Sequence, residues 1–499
     1  MTTSNMDFSS FYNVIQGKLT VTATTRHGIN PATAAPNPEV PVSTPADVEN
    51  AVSAAKAAFP LWAGTPWEER SAAIRKYADA LEREQEGFAT LLVQEQGKPL
   101  QFARNEIVDS VRWLRGIADL TLAEEVVRED DESRIIVRYT PLGVTVGIVP
   151  WNYPVVLACG KIAPSLITGN PIIIKPSPFT PYCGLKLAEL ARPFFPPGVF
   201  QALSGDDNLG PCLTAHPGVA KISFTGSTAT GKKVMESASR RLARVTLELG
   251  GNDAAIICAD ADIETVATAI ATLAFLNSGQ VSLFFTQILN MRYHISLNTK
   301  LCLEICIAVK RIYVHESIYN QFRDKLVEYI RTLKVNSDDD AFMGPLQNKM
   351  QFDRVNGLVD DIQNQGHIAV TGGVGMPKTG YFIKPTIVDN PPETSRIVQE
   401  EPFGPVVPLL SWSSEVEVLR RVNDTDVGLG ASVWSRDVGR AAELARQIEA
   451  GSVWVNKHTF IDPHVPFGGH KSSGIGCEWG IEGLKTFCNV QSLFLQKDI

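Results

Sequence analysis

The sequence runs to 499 residues, 44% hydrophobic and 20% charged, with a net charge of −8. That is enough apolar material for two or three domains with large cores. It shows neither the basic patch nor the polybasic tail that nucleic acid or an anionic membrane would require, so small molecules and protein partners are the expected ligands. No stretch holds the roughly 18 uninterrupted apolar residues of a membrane span. The nearest, 281–309, is broken by Arg292, His294, Lys300 and Glu304. The cysteines at 159, 183, 212, 258, 302, 306, 477 and 488 are dispersed, which suits free thiols in a reducing compartment rather than a disulfide framework, and no metal site is expected. With neither a secretory pattern in the first 30 residues nor a retention or peroxisomal signal at the end, the expected location is cytoplasmic.

In chain order, Thr44 predicts an N-cap, with Pro45 in the first turn and Asp47 closing a capping box. A second helix is expected from about Glu68, with Ile74, Tyr77, Ala78 and Leu81 on one face, and a third near 102–121. The acidic turn Arg128–Glu132 precedes a β-rich run, Arg134–Thr140, which reads equally as a projecting strand pair suited to subunit association or as a surface hairpin. From Val144 short apolar runs alternate with helical segments, at 144–150, 171–175, 219–225 and 245–249. This rhythm predicts a mostly parallel, doubly wound sheet with its ligands beyond the carboxyl ends of the strands. The half from 250 to 466 repeats the α/β pattern.

The chemistry-bearing residues fall at those strand ends. In Phe224-Thr-Gly-Ser-Thr-Ala-Thr-Gly231 a strand runs through Gly226 and Ser227 into a helix, which presents N–H groups to a phosphate; an ordinary glycine-rich turn is the alternative. Asn152, between prolines in Val149-Pro-Trp-Asn-Tyr-Pro154, offers an amide to an oxyanion, or else bonds its own backbone. Glu248 ends an apolar strand before Gly250 and Gly251, where desolvation would raise its pKa and suit it to activate a water; a satisfied buried carboxylate is the other reading. Lys175 closes Ile-Ile-Ile-Lys, and Glu401-Pro-Phe-Gly-Pro405 puts a carboxylate and an aromatic ring on one turn.

In this order the segments Pro-Trp-Asn-Tyr-Pro, Ile-Lys-Pro-Ser, Phe-Thr-Gly-Ser-Thr, Leu-Glu-Leu-Gly-Gly, Glu-Pro-Phe-Gly-Pro and Pro-Phe-Gly-Gly-His-Lys-Ser-Ser-Gly474 resemble the aldehyde dehydrogenase superfamily over roughly 30–490. The resemblance implies two doubly wound α/β domains plus a small β element. A dinucleotide-binding part would comprise 1–121 and 142–249, a catalytic part 250–486, and an oligomerisation element 122–141 and 487–499. It further implies a homodimer or homotetramer, with 122–141 and the C-terminal tail adding strands to a neighbour's sheet. The implied reaction is NAD(P)-dependent oxidation of an aldehyde to the acid, through a cysteine thiohemiacetal and thioester. By the same resemblance Asn152 would bind the oxyanion and Glu248 would activate water. Lys175 and Glu401 would hold the two riboses, Ser227 a phosphate and Phe403 the nicotinamide, with Trp151, Ser177, Gly226 and Leu249 completing the cofactor site. Tyr153 and Leu157 would line an apolar tunnel whose mouth is closed by 457–465.

Two departures matter. Where NAD-preferring relatives often carry a glutamate three residues after the lysine, this chain has Pro178, so NADP is expected to be tolerated beside NAD. The second lies at the nucleophile. The family pattern Phe-x-Asn-x-Gly-Gln-x-Cys is met by Phe275, Asn277, Gly279 and Gln280, and then Ser282 stands where cysteine belongs. Removing the 24 residues 281–304 restores Gln-Ile-Cys and makes Cys306 the nucleophile. That segment has no Gly, Pro or Asp and neither helical nor strand periodicity. Its first residue, Val281, has codons beginning GT, and its last, Glu304, has one ending AG, as a retained intron or a gene-model error would leave. If the segment is translated, the alternative is a catalytically silent relative with a binding or structural role.

Overall fold

The computed structural model describes residues 6–280, 307–338, 340–372 and 379–497. The 281–304 segment, with Ser282 and Cys302, and the expected nucleophile Cys306 lie outside the described residues.

The run Ile172-Ile173-Ile174 shows why the first sheet forms where it does. Successive side chains in a strand point to opposite faces. Ile173 packs beneath the helix Pro45–Gly64 with Val48, Val52 and Ala55, while Ile172 and Ile174 join the core of the helices Trp67–Arg83 and Pro154–Ile167 on the other face. With both faces covered, the strand reads as a continuous β-branched run. The parallel strands lie in the order Phe200–Ala202, Ile172–Lys175, Thr145–Ile148, Lys221–Thr225, Arg244–Glu248. The chain winds outward from Thr145–Ile148 in one direction and then in the other, so a crevice opens at the carboxyl ends between Thr145–Ile148 and Lys221–Thr225. The hairpin of Asn13–Ile15 and Lys18–Thr20 closes one edge, and Gly474–Ile475, antiparallel to Arg244–Glu248, closes the other.

The second sheet runs Thr386–Asp389, Val406–Trp412, Arg311–His315, Ala254–Ile257, Gly430–Trp434, Ser452–Val455, all parallel, with the short antiparallel Ile368–Ala369 at its edge. A third, antiparallel sheet is built from Glu125–Glu129, Ser133–Pro141 and Cys488–Gln496. Among the described residues no helix is long and apolar enough to cross a membrane.

The first helix follows its sequence signals: Thr44 accepts from the Asp47 N–H, and Asp47 accepts from the Thr44 N–H at 2.8 Å. The helix expected over 102–121 spans Leu100–Ala118. A further helix, Gln85–Gln96, was not foreseen; its buried face includes Glu95 and Gln96 as well as Phe88 and Leu92, which blurs the apolar period, and Gly97 ends it at φ +89°. The tail strand Cys488–Gln496 pairs with the chain's own Ser133–Pro141 over nine residues. Asn170 sets this up, accepting from the Gly143 N–H at 2.8 Å and donating to the Phe487 carbonyl at 2.9 Å, so the two strands start side by side.

The start of the helix Pro154–Ile167 is fixed by a buried ion pair. Glu106 Oε1 accepts from the N–H groups of Val155 and Val156 at 2.9 and 3.3 Å. Its Oε2 receives Lys98 Nζ at 2.5 Å, and the same ammonium donates to the Asn152 carbonyl at 3.2 Å. Both side chains are fully buried. Lys98→Met is therefore expected to destabilise the fold by about 3–5 kcal/mol, because it strands a buried carboxylate. Arg104→Ala, at the exposed Glu86 pair, should cost less than about 1 kcal/mol. Urea unfolding of the two variants checks the contrast.

Candidate active site

Five expected residues gather at the carboxyl ends of the first sheet. Asn152 follows Thr145–Ile148, Lys175 ends Ile172–Lys175, Gly226 and Ser227 follow Lys221–Thr225, and Glu248 ends Arg244–Glu248. They are far apart in sequence and are brought to one crevice by the winding order.

Asn152 and Glu248 are 1% and 4% exposed. The Asn152 Nδ2 and both carboxylate oxygens of Glu248 have no hydrogen-bond partner among the described residues. Buried polar groups in a native core are normally satisfied, so each of these points to a partner outside the described residues. Burial pushes the Glu248 carboxyl well above the usual carboxylate range, and the neighbouring Glu478 carboxylate pushes it further, while Lys161 opposes both. Lys161 and Glu478 form a buried ion pair at 2.5 Å, shared with Ser223 Oγ, which donates to Glu478 and accepts from Lys161 at 2.9 Å. No motif in the sequence singled out these three residues; Glu478 is 230 positions from Glu248, and only the edge strand Gly474–Ile475 brings it near.

On the other side, burial pulls the Lys175 ammonium down to about 8; Asp207 and Asp206 act against that and Arg26 adds to it. Ser227 caps the helix Thr228–Ser239 through the Thr230 N–H. A Cβ at Gly226 would meet the Phe224 ring at 2.6 Å, so this turn keeps its backbone bare. Thr225 Oγ1 is buried and has no partner among the described residues. Ser177 is buried, its hydroxyl accepting from the Phe179 N–H at 3.2 Å, and Leu249 packs in the core beneath, against Gly231.

The turn Glu401–Pro405 meets this crevice from the second sheet. Phe403 stands edge-on to Trp151 at 5.4 Å between ring centroids. Glu401 lies against Gly250 and Gly251, accepting from the Gly251 N–H at 3.4 Å. Tyr153 is buried, but the Lys98 ammonium sits 3.3 Å from its ring centroid, so that wall is not purely apolar; Leu157 is core.

The chain on either side of the undescribed segment is anchored. Gln280 accepts from the Gln347 N–H at 3.0 Å and donates from Nε2 to the Pro345 carbonyl at 3.4 Å. Ile307, the first described residue after Cys306, is fully buried, and its carbonyl accepts from His458 Nε2 at 3.0 Å.

The model of the aldehyde dehydrogenase family matches residues 20–292 and 303–493. The chain belongs to this family. The family match itself is interrupted at 293–302, inside the 24-residue segment that breaks the cysteine motif. The aldehyde dehydrogenase LUC3 of a Fusarium species is 40% identical over 99% of this chain and all of its own. Retinaldehyde dehydrogenase 3 of Rattus norvegicus is 35% identical, over 94% of this chain and 89% of its own. A Bacillus cereus aldehyde dehydrogenase solved as its NAD+ complex superposes with a TM-score of 0.91 at 32% identity, covering 98% of this chain and 97% of that one. The chain thus has the aldehyde dehydrogenase fold and is an enzyme of that class.

In this aldehyde dehydrogenase the bond from His458 bears on stability as well as placement. Burial lowers the His458 pKa to about 3 from 6.5, so the folded chain holds it neutral, with the Nε2 proton on Ile307. The folded pKa is depressed, so the associated stability is present above pH 6.5 and is lost as pH falls toward 3, on the order of 5 kcal/mol across that window. His458→Gln is expected to flatten the acid limb of a stability-versus-pH curve below pH 6.5; a limb of unchanged steepness would refute this.

Proposed function

We propose that this aldehyde dehydrogenase oxidises an aldehyde to its carboxylic acid with NAD+, using Cys306 as nucleophile. The observation that carries this is the paired absence, among the described residues, of partners at Asn152 Nδ2 and the Glu248 carboxylate, both buried at the carboxyl edge of one sheet.

The residues around the crevice suit a dinucleotide. Ser227 and the bare Gly226 backbone at a helix start suit a phosphate; the buried Lys175 ammonium and Glu401 suit the ribose hydroxyls, and Phe403 against Trp151 suits the flat ring. The orphaned Thr225 hydroxyl lies in the same turn. When bound, NAD+ supplies a hydride acceptor. In this reading the Cys306 thiolate adds to the carbonyl carbon, giving a thiohemiacetal, and Asn152 Nδ2 donates to the oxygen as it gains charge. Glu248, once ionised, takes a proton from the water that hydrolyses the later thioester. The buried Lys161–Glu478 pair beside it biases that ionisation. Glu248→Gln is expected to slow steady-state turnover by about 10²–10⁴ while leaving stoichiometric labelling of Cys306 by an iodoacetamide probe intact. Wild-type turnover should rise with pH as the carboxyl ionises. A Gln variant with wild-type turnover sinks the assignment. A folded chain that binds NAD+ and forms no NADH with any aldehyde supports the silent alternative.

We further propose the division into a dinucleotide-binding part (1–121 and 142–249), a catalytic part (250–486) and an oligomerisation element (122–141 and 487–499) that builds a homodimer or homotetramer. Val126, Val127, Val490, Phe494 and Leu495 leave an exposed apolar surface on the small sheet, which supports that role.

NADP+ is expected to serve beside NAD+, since Pro178 places no carboxylate where a 2′-phosphate would sit and Arg26 lies near Lys175. Comparable kcat/KM with the two cofactors is the expected result; an NAD+ preference above about a thousandfold, some 4 kcal/mol, would overturn it.

A further inference from the structure

We propose that Lys310 is a positioning residue for the nicotinamide end of the cofactor site, its ammonium holding the Glu401 carboxylate and the Phe403 ring in their receiving orientation. The inference rests on the NAD+ reading above.

Lys310 is 2% exposed, at the point where the chain enters the second sheet, and its backbone N–H donates to the Asp253 carbonyl at 2.9 Å. Its Nζ forms an ion pair with Glu401 Oε1, donates to the Gly251 carbonyl at 2.9 Å, and lies 5.4 Å from the centroid of the Phe403 ring. One ammonium therefore touches the glycine backbone beyond Glu248, the candidate ribose carboxylate and the candidate nicotinamide support. Glu401 Oε1 is occupied by Lys310 and the Gly251 N–H. An ionised carboxylate still has acceptor capacity on its second oxygen, and the Glu401 side chain keeps 22% exposure.

The turn that carries these groups needs such a tie. Phe403 has φ +46°, a conformation that costs a non-glycine residue of order 1–3 kcal/mol. Gln351 Nε2 donates to the carbonyls of Pro402 and Phe403 at 3.1 and 2.9 Å, and Arg354 to that of Glu401 at 2.8 Å. Those bonds fix the backbone of the turn, whereas Lys310 reaches its side chains. Asp253 and His458 also face this region. Burial raises the Asp253 carboxyl well above its ordinary range and lowers His458 to about 3. Glu401 is the carboxylate in direct contact with the buried ammonium. Lys310 is also four residues beyond Cys306 in sequence, so the segment carrying the nucleophile and the turn carrying the nicotinamide contacts share one electrostatic tie.

Binding of NAD+ and of AMP to the full chain, each measured by calorimetry, tests this, because AMP reports only the adenosine end. Lys310→Gln is expected to weaken NAD+ about tenfold and leave AMP affinity unchanged. Lys310→Arg should recover most of the loss, and Glu401→Gln combined with Lys310→Gln should add little to either alone. Unchanged NAD+ affinity in Lys310→Gln overturns the proposal, as does equal loss of NAD+ and AMP, which would mark a general effect on the fold. If Lys310→Gln does not fold, Glu401→Gln with Lys310 intact carries the same test: the loss must be confined to NAD+. A wild-type chain that binds neither ligand removes the cofactor reading and this inference with it.

Discussion

The backbone of Gly279 lies against the carbonyl of Gly404 and the nitrogen of Pro405, so closely that a Cβ at 279 would collide with both. The rest of the site depends on this contact between two backbones. To make it, Asn277, Ser278 and Gly279 all take positive φ, at 47°, 59° and 71°. For the first two that conformation is unfavourable by of order 1–3 kcal/mol each. Hydrogen bonds offset the strain: Ser278 Oγ donates to the Gly344 carbonyl at 2.6 Å and Asn277 Nδ2 to the Gln280 carbonyl at 3.0 Å. The end of the helix Ile263–Phe275 is thereby pressed onto the turn that presents Glu401 and Phe403. The approach to the candidate nucleophile and the candidate platform for the cofactor are one packed unit.

Around that unit the buried charges follow a common pattern. Glu248 lies beside the Lys161–Glu478 pair, Asn152 beside the Lys98–Glu106 pair, and Glu401 beside Lys310. Buried ion pairs of this kind contribute little net stability, since desolvation opposes their attraction, but they are expensive to break and so hold geometry firmly. Each sits one contact behind a group that would touch substrate or cofactor. The fold thus spends its costly buried charges on holding strand ends and turns in place, where catalysis is sensitive to displacements of about an ångström.

Much of the frame could be read in advance, and the reason is local. Strand runs such as Ile172–Lys175 and the cap at Thr44 carry their signal within a few residues, and the glycine turn at Gly226 follows its strand directly. The supporting charges could not be read in this way. Lys161 and Glu478 are 317 residues apart and Lys310 and Glu401 are 91 apart; nothing in the composition near either partner signals the other. A lysine four places after a cysteine looks like an ordinary solvated charge until the strand order puts it beneath Phe403. The helix Gln85–Gln96 was obscured for a related reason: Glu95 is buried because its carboxylate accepts from the N–H groups of Tyr182 and Cys183 at 2.8 and 3.1 Å. A charge serving a distant helix start disrupts the local hydrophobic period.

The same physics separates folding from catalysis at the interrupted motif. Gln280 and Ile307 are each anchored by partners outside the interval between them, Gln280 by Pro345 and Gln347, Ile307 by His458 and the surrounding core. Lengthening a connection between two fixed points raises its closure entropy only logarithmically, so 24 extra residues cost roughly 2 kcal/mol. That is a modest fraction of what a core of this size can absorb. Placement of a nucleophile has no such logarithmic tolerance, because its rate depends on atomic position rather than on chain statistics. The longer chain can therefore reach the family fold with Glu248, Asn152 and Lys310 all in place, whatever the length of the connection between Gln280 and Ile307. Folding and a stoichiometrically reactive Cys306 are therefore separate requirements, and the second belongs to the active reading.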